Sequence, residues 1–81
     1  MFTINLTARA KRQLKDLSKL YRESVGEILE ELKEDPFVGK PLTREFAGKF
    51  SFKVGVLRII YKVNFQDKII LIISAGHRST I

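Results

Sequence analysis

Lys53 and Arg58 flank Gly55-Val56 in the segment Phe50 to Tyr61, which reads Phe-Ser-Phe-Lys-Val-Gly-Val-Leu-Arg-Ile-Ile-Tyr. A two-residue turn with glycine first is the type II′ pattern of a β-hairpin, and it sets the register. Val54 then faces Leu57, Lys53 faces Arg58, Phe52 faces Ile59, Ser51 faces Ile60, Phe50 faces Tyr61 and Lys49 faces Lys62. Side chains alternate, so Phe50, Phe52, Val54, Leu57, Ile59 and Tyr61 share one side, while Lys49, Ser51, Lys53, Arg58, Ile60 and Lys62 share the other. Like charges directly opposite on a sheet cost up to about 1 kcal/mol a pair. One such pair is tolerable when long side chains splay into water. Two on one face point to an anionic ligand.

The charge of the whole chain agrees with that reading. Its formal net charge is +6 over 81 residues. Residues 1–35 carry seven basic and seven acidic side chains, whereas 36–81 carry eight basic against Glu45 and Asp67 alone. The excess therefore belongs entirely to the half that holds the hairpin. A localised basic field favours nucleic acid, acidic protein or an anionic membrane surface. A solvated face kept basic for solubility is the alternative.

Length and composition bound the rest. A chain of this size predicts a single domain over residues 1–81 with one modest core. Cysteine is absent and histidine occurs once, so neither a disulfide framework nor a thiolate or histidine metal site is expected, and no cofactor is implied. The longest apolar run, Ile69 to Ile73, is too short to span a bilayer, and the N-terminus lacks a signal-peptide layout. A soluble, cytoplasmic protein is expected, with no membrane partner.

The elements that must position the hairpin follow from periodicity. Phe2 to Leu6 alternates and predicts a short first strand. Thr7 caps a helix whose apolar stripe is Ala10, Leu14 and Leu17; the segment is otherwise basic. Ser18 caps a second helix running to about Glu34, with Tyr21, Val25, Ile28, Leu29 and Leu32 buried and a row of glutamates outward. Ser24-x-x-Glu27 matches a capping box and offers a later start, and Gly26 suggests either that start or close packing. Asp35-Pro36 ends the helix. After a loop from Pro36 to Pro41, Leu42 to Phe46 forms a second short strand. The hairpin follows, its return strand reaching about Phe65, and Lys68 to Ala75 is the last strand. Its Ile-Ile-Leu-Ile-Ile run does not alternate, which places it centrally with both faces covered. The expectation is an α+β domain of order β-α-α-β-β-β(β): an antiparallel sheet with an N-terminal helical hairpin packed on one face, leaving the Lys53/Arg58 face open.

Several of these segments together resemble a known family. Asp35-Pro36, Lys40-Pro41-Leu42 with Phe46-Ala47-Gly48, Phe52-Lys53-Val54-Gly55 before Leu57-Arg58-Ile59-Ile60-Tyr61, and the closing Gly76-His77-Arg78-Ser79 resemble the RelE/ParE toxin superfamily over essentially the whole chain. The resemblance implies a type II toxin, of the RelE-like kind, encoded beside a cognate antitoxin whose acidic or amphipathic segment wraps it. It implies ribosome and mRNA as the RelE-branch target, DNA gyrase as the ParE-branch target, and operator DNA only through the antitoxin complex. It assigns action on the scissile phosphate to Lys53, Arg58 and Arg78. Where some members carry a second lysine, this chain has Ser51. Members commonly continue into a tyrosine that stacks on an mRNA base; none follows His77 here, which is what a degenerate, inactive toxin would show.

RNA cleavage through its own 2′-hydroxyl needs a base, positive charge on the phosphorane oxygens and an acid for the leaving oxygen. A lysine acts as base only when neighbouring positive charge favours its neutral amine, and Arg58, with Lys49 and Lys62, would supply that charge to Lys53. Arg58 suits the phosphate clamp because its planar fork contacts two oxygens at once. Arg78 would be a second clamp. His77 is the conventional acid/base candidate, although a lone histidine at a strand end is more often a packed or surface residue. Lys49, Ser51 and Lys62 extend the RNA-binding surface. The expected function is a ribosome-dependent mRNA endoribonuclease that inhibits translation. The alternatives are a gyrase inhibitor without nuclease activity and a toxin that only binds its antitoxin.

Overall fold

The hairpin closes in the expected register throughout, from Val54↔Leu57 at the turn to Lys49↔Lys62 at its base. The computed structural model describes residues 1–41 and 48–77. Its elements are β1 (Thr3–Leu6), α1 (Ala8–Asp16), α2 (Lys19–Glu34), β2 (Lys40–Pro41), β3 (Lys49–Val54), β4 (Leu57–Asn64) and β5 (Ile69–His77). The strands form one sheet in the order β1-β5-β4-β3-β2. The expected strand over Leu42 to Phe46 lies outside the described residues; Lys40 and Pro41 make the edge pairing instead, opposite Ser51 and Phe50.

The sheet is mixed rather than purely antiparallel, because β1 runs parallel to β5, from Thr3↔Ile69 to Leu6↔Ile72. The last strand is interior, as its apolar run implied, and so needs a neighbour on each edge. With β4 on one side, β1 supplies the other, and the helical hairpin and the rest of the chain make the long return that parallel pairing requires. The register shifts between Ile60 and Tyr61, which pair with Ser74 and Ile72, leaving Ile73 between them. This bulge lets Ile70, Ile72 and Ala75 all face the core despite their odd spacing, and all three are fully buried. The opposite face of β5 is less covered than its composition suggested: Ile69, Leu71 and Ile73 are only half-buried.

Both helices begin at the predicted caps. Thr7 accepts from the Ala10 amide at 3.1 Å and Ser18 from the Tyr21 amide at 3.4 Å. Val25, Ile28 and Leu32 of α2 are buried with Ala10, Leu57, Ile59, Tyr61, Ile70 and Ile72, and Leu14, Leu17, Leu29, Phe50 and Phe52 pack around them. Tyr21 is not part of the core; at 40% exposure it shows that the buried stripe of α2 starts only at Val25, more than a turn after the helix itself begins at Lys19. Ser24 sits inside α2, donating to the Leu20 carbonyl at 3.2 Å, so the later helix start is not used. Gly26 is exposed, and a Cβ there would meet nothing within 4 Å, so close packing is not its reason either. Gly26→Ala is therefore expected to stabilise the protein by about 1 kcal/mol, raising its melting temperature by roughly 4–8 °C. Thermal denaturation followed by circular dichroism measures this, and a lowered melting temperature would mean that the glycine is required where it stands.

Candidate anion site on the open sheet face

Strand alternation leaves Lys53, Arg58, Ser51, Lys49 and Lys62 on the face away from the helices. Lys53 is exposed and Arg58 half-buried. The two are direct cross-strand partners, and Arg58 in turn pairs with Gly76 of β5. Gly76 brings no side chain to the row beside Arg58. Arg58 Nε is buried and, among the described residues, has no hydrogen-bond partner. A buried charged donor without an acceptor is costly in a folded chain and marks a place where a ligand acceptor would be welcome.

An open pocket of about 430 Å³ lies at this end of the sheet, lined by Val38, Lys40, Pro41, Ser51, Phe52, Lys53 and Arg58. Three cations and a serine hydroxyl converge on it. Lys40 is the residue that sequence reasoning did not single out for the site. Its register partner is Ser51, so it stands one row from the Lys53–Arg58 pair.

Lys40 is held there by a residue on the other face. The Tyr61 hydroxyl donates to the Pro36 carbonyl at 2.7 Å and accepts from the Gly39 amide at 3.1 Å, pinning the loop that leads into β2. The ring is fully buried and stacks on Phe50 with centroids 5.3 Å apart. Burial lifts the phenol above its ordinary value of 10.0, and Asp35 adds to the rise while the Gly39 amide opposes it. Gly39 is required by this contact: any Cβ there would collide with the Tyr61 hydroxyl and come within 3.0 Å of the Ser51 carbonyl. Tyr61 reads in the sequence as core packing, which is correct for its ring. Its hydroxyl has the further task of fixing one wall of the pocket.

The outer edge of β5 is satisfied by α1 where β1 ends. Thr7 donates through Oγ1 to the Ile73 carbonyl at 3.0 Å, and Gln13 Oε1 accepts from the Ala75 amide at 3.0 Å and from Ser74 Oγ at 3.1 Å. Gln13 was also overlooked, although a polar residue set into the Ala10–Leu14–Leu17 stripe was its visible signal. It holds β5 against α1 directly beside the Gly76 position that flanks Arg58.

The remaining candidates fall differently. Lys49 and Lys62 face each other two rows down the same open face. His77 closes β5 opposite Leu57, so by alternation it belongs to the helix-side face rather than to the Lys53–Arg58 row, and it is exposed. Arg78 lies outside the described residues. Among those residues no helix is long and apolar enough to cross a membrane.

Comparison with known proteins accords with this architecture. The family model for the ParE toxin of type II toxin-antitoxin system, parDE, matches residues 4–81. The toxin RelG of Mycobacterium tuberculosis is 34% identical over 85 residues, covering 99% of this chain and 94% of the relative. The toxin–antitoxin complex RelBE2 from M. tuberculosis contains a chain that superposes with a TM-score of 0.88 at 34% identity, covering 95% of this chain and 98% of that one. The intact RelBE toxin–antitoxin complex of E. coli matches in fold, with a TM-score of 0.83 at 22% identity over 95% of this chain and 96% of its own. The chain with this basic, half-open sheet thus belongs to the RelE/ParE family of toxins from type II toxin–antitoxin systems.

Proposed function

We propose that this toxin is a cytoplasmic, ribosome-dependent endoribonuclease that cuts mRNA and so inhibits translation. The observation that carries the reading is the Lys53–Arg58 cross-strand pair, with Arg58 Nε buried and lacking an acceptor at a pocket that Lys40 also lines. A phosphate supplies what that arrangement lacks, and a phosphorane, with more negative charge on its oxygens, supplies more. Arg58 clamps two of those oxygens, and Lys53, raised on the exposed side of the row, takes the proton from the attacking 2′-hydroxyl. Arg78 adds a second clamp, and His77, exposed at the end of β5, is the remaining candidate for the proton that the leaving 5′-oxygen takes. Lys49, Ser51 and Lys62 hold the adjoining backbone. The described site orients one phosphate, and the ribosome supplies the rest of the substrate alignment, which accounts for dependence on it.

Its partner is a cognate antitoxin, as in the two toxin–antitoxin complexes whose chains it resembles. An acidic or amphipathic segment would neutralise the basic face, and operator DNA would be reached only through that complex. Primer extension on mRNA bound to programmed ribosomes tests the enzyme: new 5′ ends inside the decoding-site codon are expected with ribosomes and not on free RNA. The name of the matched family favours a second reading, inhibition of DNA gyrase without nuclease activity. In that case ribosomal mRNA stays intact and a gyrase supercoiling assay is blocked instead.

A further inference from the structure

Beyond the Lys53–Arg58 pocket, the open face carries a second hollow of about 300 Å³, lined by Asn5, Lys62, Asn64, Ile69 and Leu71. It joins three strands. Leu71 pairs with Asn5 of β1 on one side and with Lys62 of β4 on the other, so an amide, an apolar floor and a cation stand in one row. Asn64 is committed to the β4–β5 turn, donating to Asp67 Oδ2 at 3.1 Å and accepting from the Asp67 amide at 3.0 Å. The exposed Asn5 side chain has no hydrogen bond among the described residues. Ile69 and Leu71 are half-buried, leaving apolar surface at the bottom of the hollow.

We infer that this hollow is a nucleobase subsite for the same single-stranded RNA whose scissile phosphate sits at Arg58. The inference rests on the RNA-cleavage reading above. Lys62 is four residues along β4 from Arg58 on the same face, about 13 Å away, a separation that a single strand crosses in a few nucleotides. Lys62 takes a backbone phosphate, Leu71 and Ile69 lie against the flat of the base, and the Asn5 amide meets its edge. An amide offers one donor and one acceptor side by side, the complement of the adenine N6/N7 edge, so adenine is the favoured base. Sequence preference in this toxin is therefore set at β1 and β5, apart from the residues that act on the phosphate.

The test uses fluorescence anisotropy with 2′-O-methyl oligonucleotides, which cannot cleave through their own 2′-hydroxyl. The hexa-adenylate is expected to bind roughly tenfold more tightly than the tri-adenylate and several-fold more tightly than the hexa-uridylate. Asn5→Ala and Lys62→Ala, both at exposed positions, should each bring the ratio of hexamer to trimer affinity toward one, and Asn5→Ala should also erase the difference between adenylate and uridylate. Arg58→Met should weaken trimer and hexamer alike. An absent length advantage in the unaltered protein, or one that survives both variants, overturns the subsite while leaving the Arg58 site standing. An Arg58→Met variant that binds both lengths as tightly as the parent strikes the RNA-cleavage reading itself.

Discussion

Arg58→Met is expected to lower ribosome-dependent mRNA cleavage by about a hundredfold to a thousandfold, the usual loss when one preorganised donor to a developing oxyanion is removed. The same substitution should leave the melting temperature unchanged or raise it. Two features of the sheet predict this split. Arg58 faces Lys53 across the strand pair, a like-charge contact costing up to about 1 kcal/mol. Its Nε is also buried with no acceptor among the described residues, a cost on the order of 1–3 kcal/mol. Methionine keeps most of the aliphatic packing and removes both penalties. Each kcal/mol recovered is worth roughly 4–8 °C in a domain of this size. Cleavage assays on programmed ribosomes beside thermal melts decide the matter. Loss of cleavage together with a lower melting temperature would mean that Arg58 is there for the fold, and full cleavage would remove it from the site. The expected split, less cleavage with equal or greater stability, is what an arginine kept for function at a cost in stability gives.

Tyr61→Phe is expected to be the most damaging conservative change in the chain, lowering stability by about 2–4 kcal/mol. It removes one hydroxyl and leaves two buried backbone groups, the Pro36 carbonyl and the Gly39 amide, without partners. Against the few kcal/mol available to so small a domain, that is a large fraction. The pH dependence provides a second signature. The folded phenol titrates above the ordinary value of 10.0, mainly because burial disfavours the phenolate. As pH rises past that value the unfolded chain loses the proton first, so the folded state loses stability progressively until its own phenol ionises. Denaturant melts between neutral pH and pH above 10 should show this alkaline slope in the parent protein and a shallower one in Tyr61→Phe. Equal slopes would mean that another group controls the alkaline limb. Because the same hydroxyl pins the approach to Lys40, Tyr61→Phe should also weaken cleavage at temperatures where the variant is still folded.

The part of this molecule that could be read from residues alone is the part where two local rules agree. Gly55 in a two-residue turn fixes one register, and the alternation from Phe50 to Tyr61 fixes the same one, so all six cross-strand pairs followed. Thr7 and Ser18 announced the helices for a similar reason, each being a capping residue before an apolar stripe. Strand direction at β1 has no such signature. Thr3 to Leu6 would read identically in a parallel or an antiparallel ladder, and only the demand of β5 for a second neighbour decides. The Tyr61 hydroxyl was invisible because its partners lie 25 and 22 residues away in a loop that alternation does not describe. Lys40 was missed as a member of the pocket for that reason, since its position depends on the tyrosine.

The pairing of Thr3 with Ile69 has a kinetic meaning for a toxin that is itself made on the ribosome. The first strand made has to wait for the last, because β1 has no sheet to join until β5 exists. Loop closure over so long a separation is unfavourable until both strands are present, and the contact is of the kind that slows folding. At ordinary rates of elongation, about 5–20 residues per second, synthesis as far as β5 takes on the order of 4–15 seconds. Through that interval Arg58 has β3 at most beside it and lacks the Gly76 strand that completes its surroundings. On the role proposed for Arg58, the nascent chain is expected to gain its activity only once β5 has been made.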